Sequence, residues 1–212
     1  MQVKIQNYYT NDDKMFLVVE SIIVAICMLI PCILYLVDCE TELRSSISKY
    51  VDMCDSHIFG LMFGVAGTAF ILNGALYFKA ENDEKHNPSL KANYVIDNRV
   101  FDKKKIGKWY NLVFGVALIG VAVFHYNRTD LSMYLHYAAA VIFFAGSAVV
   151  MFFIHEREDR FYSRTLAVGS LVCLAIGLFA SEYLSLFWAE SIALWLVAIY
   201  YLVENRRIWL QS

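Results

Sequence analysis

Few polar side chains in this 212-residue chain are placed to do chemistry, and His136 and Glu190 are the first of them, each inside a long apolar run. An ionisable group there is costly in a bilayer unless it is paired or hydrated, so it marks a functional position by default. Each lies five residues into its run, counted from Leu131 and Ser185. At 1.5 Å per residue both sit about 8 Å deep from the same side. Equal depth predicts a contact between His136 and Glu190, which would lower the desolvation cost of each. The plain reading of the pair is a polar clamp between two helices, and the sharper ones are a lipid-headgroup or proton-sensitive site, or a metal or catalytic site.

His57, His125 and His136 share that side with Asp130, Glu182 and Glu190. Imidazoles and carboxylates bind zinc when three or four converge. No pair has the i, i+3 or i, i+4 spacing of a helical zinc site, so neither a metal nor a cofactor is expected. Glu20 and Asn73 lie near the opposite ends of their runs, where hydration or a mutual hydrogen bond would satisfy them. Lys103, Lys104, Lys105 and Lys108 lead directly into Trp109. A juxtamembrane basic run attracts anionic lipid at about 1 kcal/mol per charge. These four lysines are therefore the candidate phospholipid contact, beside a plain role in anchoring. Residues Tyr94 to Phe101 alternate apolar and polar around Asp97-Asn98, a pattern for a short hairpin or a partner-binding element.

The elements that must hold these residues follow from composition. With 59% apolar and 18% charged residues, a soluble domain could not cover its own surface. A net charge of −2 supplies no basic field for nucleic acid. A bilayer core of about 30 Å needs roughly 17 to 25 apolar residues per helix. Six windows qualify: Met15 to Val37, Ile58 to Phe78, Trp109 to Tyr126, Leu131 to Ile154, Thr165 to Ser181 and Tyr183 to Val203. The first is read as a retained helix, not a secretory signal, and Pro31 is expected to kink it. The last two run almost together, and the stretch Thr165 to Val203 must break at Glu182. The expectation is an all-α bundle of six membrane helices, one domain over 1–212, with a cytoplasmic loop at 79–108. If the N-terminus is cytoplasmic, the inner side holds all the Lys and Arg except Arg44, Lys49 and Arg128. That asymmetry places both termini in the cytoplasm.

Small residues predict how the helices pack. Gly60, Gly64, Gly67 and Gly74 mark one face of the second helix, while Gly169, Cys173 and Gly177 repeat the device on the fifth. Helix packing is the plain reading and a groove for a lipid tail the other. Cys27, Cys32 and Cys173 fall inside helices and read as small apolar side chains. Cys39 and Cys54 share the first outer loop, where a disulfide would staple a small lid if that side is oxidising. Asn127-Arg128-Thr129 is a formal glycosylation acceptor in a loop too short and too close to the membrane for modification.

Several of these segments together resemble the DRAM/Sfk/Frag family of six-span membrane proteins. The run Asn111 to Phe124 and the following Leu135-His136 to Gly146 resemble its third and fourth helices. Phe187-Trp188-Ala189-Glu190-Ser191 resembles its sixth-helix signature, and Ile58 to Phe63 the start of its second helix. The family's Ile-Ser-Asp-Thr-Gly element is absent, and Ser191 stands where tryptophan is usual. The resemblance implies a multipass protein of endolysosomal, Golgi or plasma membranes. Its implied work is autophagy regulation, lipid-anchor remodelling, or lipid organisation around a phosphatidylinositol 4-kinase.

The leading expectation is a non-enzymatic membrane protein that binds or organises lipid and engages a cytoplasmic partner through residues 79–108. The alternatives are a metal-dependent intramembrane lipid hydrolase using His57, His125 and His136, and a small channel or transporter.

Overall fold

A computed structural model describes residues 11–40, 42–86, 110–153 and 160–210. Six α-helices carry most of these residues: α1 (Asn11–Val37), α2 (Ser56–His86), α3 (Tyr110–Val123), α4 (Asp130–Phe153), α5 (Arg160–Phe179) and α6 (Leu186–Leu210). A short 3-10 helix, Ile47–Asp52, lies between α1 and α2, and no strand occurs among the described residues. Five helices are long and apolar enough to cross a membrane, all but α3. With 14 residues, α3 is about 21 Å long, short of a hydrocarbon core.

The differences from the expected spans have local causes. The third run was expected to reach Tyr126, but the helix stops at Val123 and residues 124–129 form the turn into α4. The helix α2 continues to His86, eight residues past the expected end. The predicted break at Glu182 is a turn over residues 180–185. The helix α1 runs through Pro31. Trp195 Nε1 on α6 donates to Met28 O at 3.2 Å, next to Cys27, whose carbonyl loses its helical donor at Pro31.

Each helix packs on its neighbours in the chain, and α1 closes the ring against α6. Antiparallel pairing of α2 and α3 is visible in two contacts, Gly67 with Gly115 and Asn73 with Asn111. A Cβ at Gly67 would lie 2.6 Å from Ile119 Cγ1 and 2.7 Å from Gly115 O, so only glycine allows this approach. Gly74 is buried as well. Gly60 and Gly64 depart from the expected packing face, because a Cβ on either would meet nothing within 4 Å. On α5 the small stripe packs as expected at Gly177, where a Cβ would lie 2.5 Å from Ala189 Cβ of α6.

Aromatic side chains from several helices meet inside the ring. Phe70 of α2 sets its ring edge-on to Phe143 of α4 and Tyr201 of α6, each at 5.7 Å, and Phe114 of α3 meets Phe143 at 6.1 Å. Such T-shaped contacts place ring edges against ring faces. These rings join α2, α3, α4 and α6 in one aromatic cluster.

Three connections share one end of the bundle: residues 38–55, 124–129 and 180–185. The first folds into a cap, paired at its base by Cys39 and Cys54 at disulfide distance with Cα atoms 6.2 Å apart. Ile47, Tyr50, Val51 and Met53 point down from the cap into the bundle core. The other end, where α1 begins, is called basal below.

Candidate functional site

Buried polar side chains gather at the two ends of the bundle. The basal group links four helices through one directed chain of hydrogen bonds. Tyr201 of α6 donates its hydroxyl to Asn111 Oδ1 at 2.6 Å. Asn111 Nδ2 of α3 donates to Asn73 Oδ1 at 2.5 Å, and Asn73 Nδ2 of α2 donates to Glu20 Oε1 of α1 at 3.3 Å. All four side chains are buried. Every donor faces toward the carboxylate, so each amide dipole reinforces the next. A carboxamide both gives and accepts a hydrogen bond, which is why asparagine can bridge helices in the chain's interior. The chain joins α1 to α6 through α2 and α3, beside the direct contact of α1 with α6.

Glu20 and Asn73 thus make the mutual bond that their positions suggested. Asn111 and Tyr201 are the members that sequence reasoning passed over. The signal for Asn111 was present, a carboxamide two residues into an apolar helix, and the rule that marks Glu20 and Asn73 marks it too. Tyr201 gave no such signal, because an aromatic near a helix end reads equally as an interfacial anchor.

At the cap end, His136 and Glu190 do not meet. Their helices, α4 and α6, are not neighbours in the ring, and equal depth brings two residues together only across a shared interface. His136 instead turns toward α3, where its Nδ1 lies 2.8 Å from Phe124 O and 3.2 Å from Val121 O. Both partners are carbonyls, so Nδ1 carries the proton. The last carbonyls of a helix have no partner within it, and here a side chain from the next helix supplies the donor. Ser132 Oγ does the same for His125 O at 2.7 Å, and Thr129 Oγ1 caps α4 by accepting from the Ser132 N–H at 3.1 Å.

Glu190 turns toward the cap. Its Oε2 accepts the Ile47 N–H at 2.7 Å, at the first turn of the 3-10 helix, where Ser46 offers no side-chain bond of its own. In return the Phe187 N–H, free at the start of α6, donates to Ser45 O at 2.9 Å. Each element satisfies an open amide of the other, and the two bonds form a clasp. A second grip holds the turn between α3 and α4, where Asp52 accepts from Tyr126 Oη at 3.0 Å and Asn127 Nδ2 at 2.9 Å. The glycosylation acceptor Asn127 is engaged in this contact.

Charge inside the cap is arranged around Arg44. Its guanidinium pairs with Asp38 at 2.5 Å and Glu40 at 3.2 Å, and lies 5.7 Å from the Tyr50 ring centre. The Arg44 hydrogen bond holds the Asp38 carboxyl below its ordinary range, and burial pushes the Tyr50 phenol up. Burial, with Arg128 second, holds the His125 imidazole below its ordinary range. His57, His125 and His136 do not form a group close enough to share an ion. Among the described residues the only such group is Asp38, Cys39 and Cys54, whose two sulfurs are paired with each other. Lys103, Lys104, Lys105, Lys108 and the stretch 94–101 lie outside the described residues.

Residues 29–205 match the model of a family of unknown function, DUF7103. The chain belongs to that family. No curated protein and no solved structure matches it. The matched stretch of this DUF7103 chain takes in the cap, the clasp, His136, Asn73, Asn111 and Tyr201, and it begins after Glu20.

Proposed function

We propose that the chain is a six-span membrane protein with both termini in the cytoplasm, acting without catalysis as a scaffold or regulator that binds and organises membrane lipid. The observation that carries this reading is how α3 is held at its basal end. Asn111, the second residue of α3, is locked between α2 and α6, and Tyr110 beside it is buried. In the sequence, Lys108 precedes Tyr110 by two residues, and the run Lys103, Lys104, Lys105 and Lys108 leads into this buried start of α3. In a cytoplasmic leaflet that edge is where anionic headgroups lie. The short α3 reaches across with its flanking residues or a locally thinned bilayer. The aromatic cluster that ties α2, α4 and α6 together supports a scaffold over a conduit.

The positions that carry the resemblance to the DRAM/Sfk/Frag family, His136 and Ala189-Glu190, tie element ends together, which supports an architectural role for them. An autophagy or lipid-homeostasis setting and a cytoplasmic partner for residues 79–108 belong to the same reading.

The test uses full-length protein in detergent, exchanged into mixtures of neutral and anionic phospholipid. The wild type is expected to retain anionic lipid preferentially. A variant with the four lysines changed to glutamine is expected to lose about tenfold or more of that preference, given the attraction of each charge. Equal selectivity in the two proteins removes the basic run from the function.

A further inference from the structure

We propose that the Cys39–Cys54 pair is a reducible latch, through which a dithiol reductant on the cap side releases the cap from α6 while the bundle stays folded. The pair closes a loop with a sequence separation of 15, and the cap's hydrogen bonds to α6 and to the turn between α3 and α4 start from that loop. Ser45 O and the Ile47 N–H form the clasp with Phe187 and Glu190, and Asp52 holds the turn at Tyr126 and Asn127. Both cysteines are exposed at the cap's base, open to a thiol from solvent. None of the helix-to-helix contacts of the ring runs through the pair, so the latch and the bundle are separate constraints.

The exchange is balanced. One thiolate of the dithiol attacks a sulfur of the pair and forms a mixed disulfide, and its second thiol displaces the protein thiol. The reductant leaves as a disulfide, having passed two electrons, and Cys39 and Cys54 each end with a proton. Closing a loop of this length restricts the released chain enough to shift the cap's opening equilibrium by roughly a hundredfold. Opening takes the Ile47 N–H from Glu190 and the Ser45 carbonyl from Phe187. It also lifts Tyr50 off Phe187, where the rings lie 5.6 Å apart. A buried carboxylate and an apolar seat then face the cap side.

Hydrogen exchange of the full-length protein in lipid nanodiscs, with and without dithiothreitol, tests this, with intact mass reporting the gain of two hydrogens. Reduction is expected to speed exchange at Ile47 and Phe187 by roughly a hundredfold. Phe143 and Ala148 in α4 are expected to keep their protection, and reoxidation to restore the cap. The Cys39→Ser/Cys54→Ser double variant is expected to exchange like the reduced wild type, whether or not the dithiol is present. Unchanged cap exchange after full reduction overturns the proposal. So does loss of protection in α4 together with the cap, since the pair is then a staple of the whole fold. Free thiols in protein isolated without reductant, or dithiol sensitivity surviving in the double variant, overturn it as well.

Discussion

Asn111 and Asn73 each accept a hydrogen bond from one helix and donate to another, and Asn111 is the one that ties α6 into the basal chain. Replacing it with leucine keeps the volume but takes the acceptor from the Tyr201 hydroxyl and the donor from the buried Asn73 side-chain oxygen. An interhelical hydrogen bond in a membrane averages about 0.6 kcal/mol, while a buried group left unsatisfied costs about 1–3 kcal/mol. The expected loss for Asn111→Leu is therefore about 2 kcal/mol, with a smaller loss for Tyr201→Phe, which removes only the terminal donor. Unfolding in mixed micelles measures both, and the reverse ranking would show that the four residues do not act as a chain. The sequence marked Glu20, Asn73, His136 and Glu190 as polar groups in apolar surroundings, since side-chain type and neighbours are local facts. It paired His136 with Glu190 wrongly, because depth along a helix is legible and the direction a side chain faces across the bundle is not.

The cap is the element whose behaviour depends on pH through a named pair. Asp38 bonds to Arg44, and its carboxyl titrates below the ordinary value of 3.8. A group depressed in the folded state adds stability that is complete above the ordinary value and is lost as pH falls through the lowered one. Arg44→Gln should therefore lower the thermal stability of the cap at pH 6, and the difference from wild type should shrink below about pH 3.8 as Asp38 protonates. Melting curves of the two proteins across that range check the sign, and a penalty that grows on acidification would contradict it. The existence of this element was legible only as two cysteines in one outer loop. Its fold was not, because the 3-10 helix is capped by Glu190 from a helix 143 residues away in the chain.

For the molecule as a whole, the proposed six spans predict that both termini share a face. Tags after Gln2 and Gln211 should be protected or accessible together in sealed vesicles, while a tag in the cap at Lys49 should show the opposite behaviour. Protection of one terminal tag and exposure of the other would remove the sixth span and, with it, the place proposed for the lysine run. The apolar runs alone determined the helices, including the break near Glu182 and the small-residue contact at Gly67. In lipid each run has to satisfy its own backbone hydrogen bonds, so length and composition suffice to declare it. Which helices touch was decided only by the closed ring, and so were the partners of His136 and Glu190 and the reach of the polar chain to Asn111 and Tyr201. Neighbour choice depends on how each helix rotates about its axis to pack its small and aromatic faces, a property of the assembled bundle and of no single run.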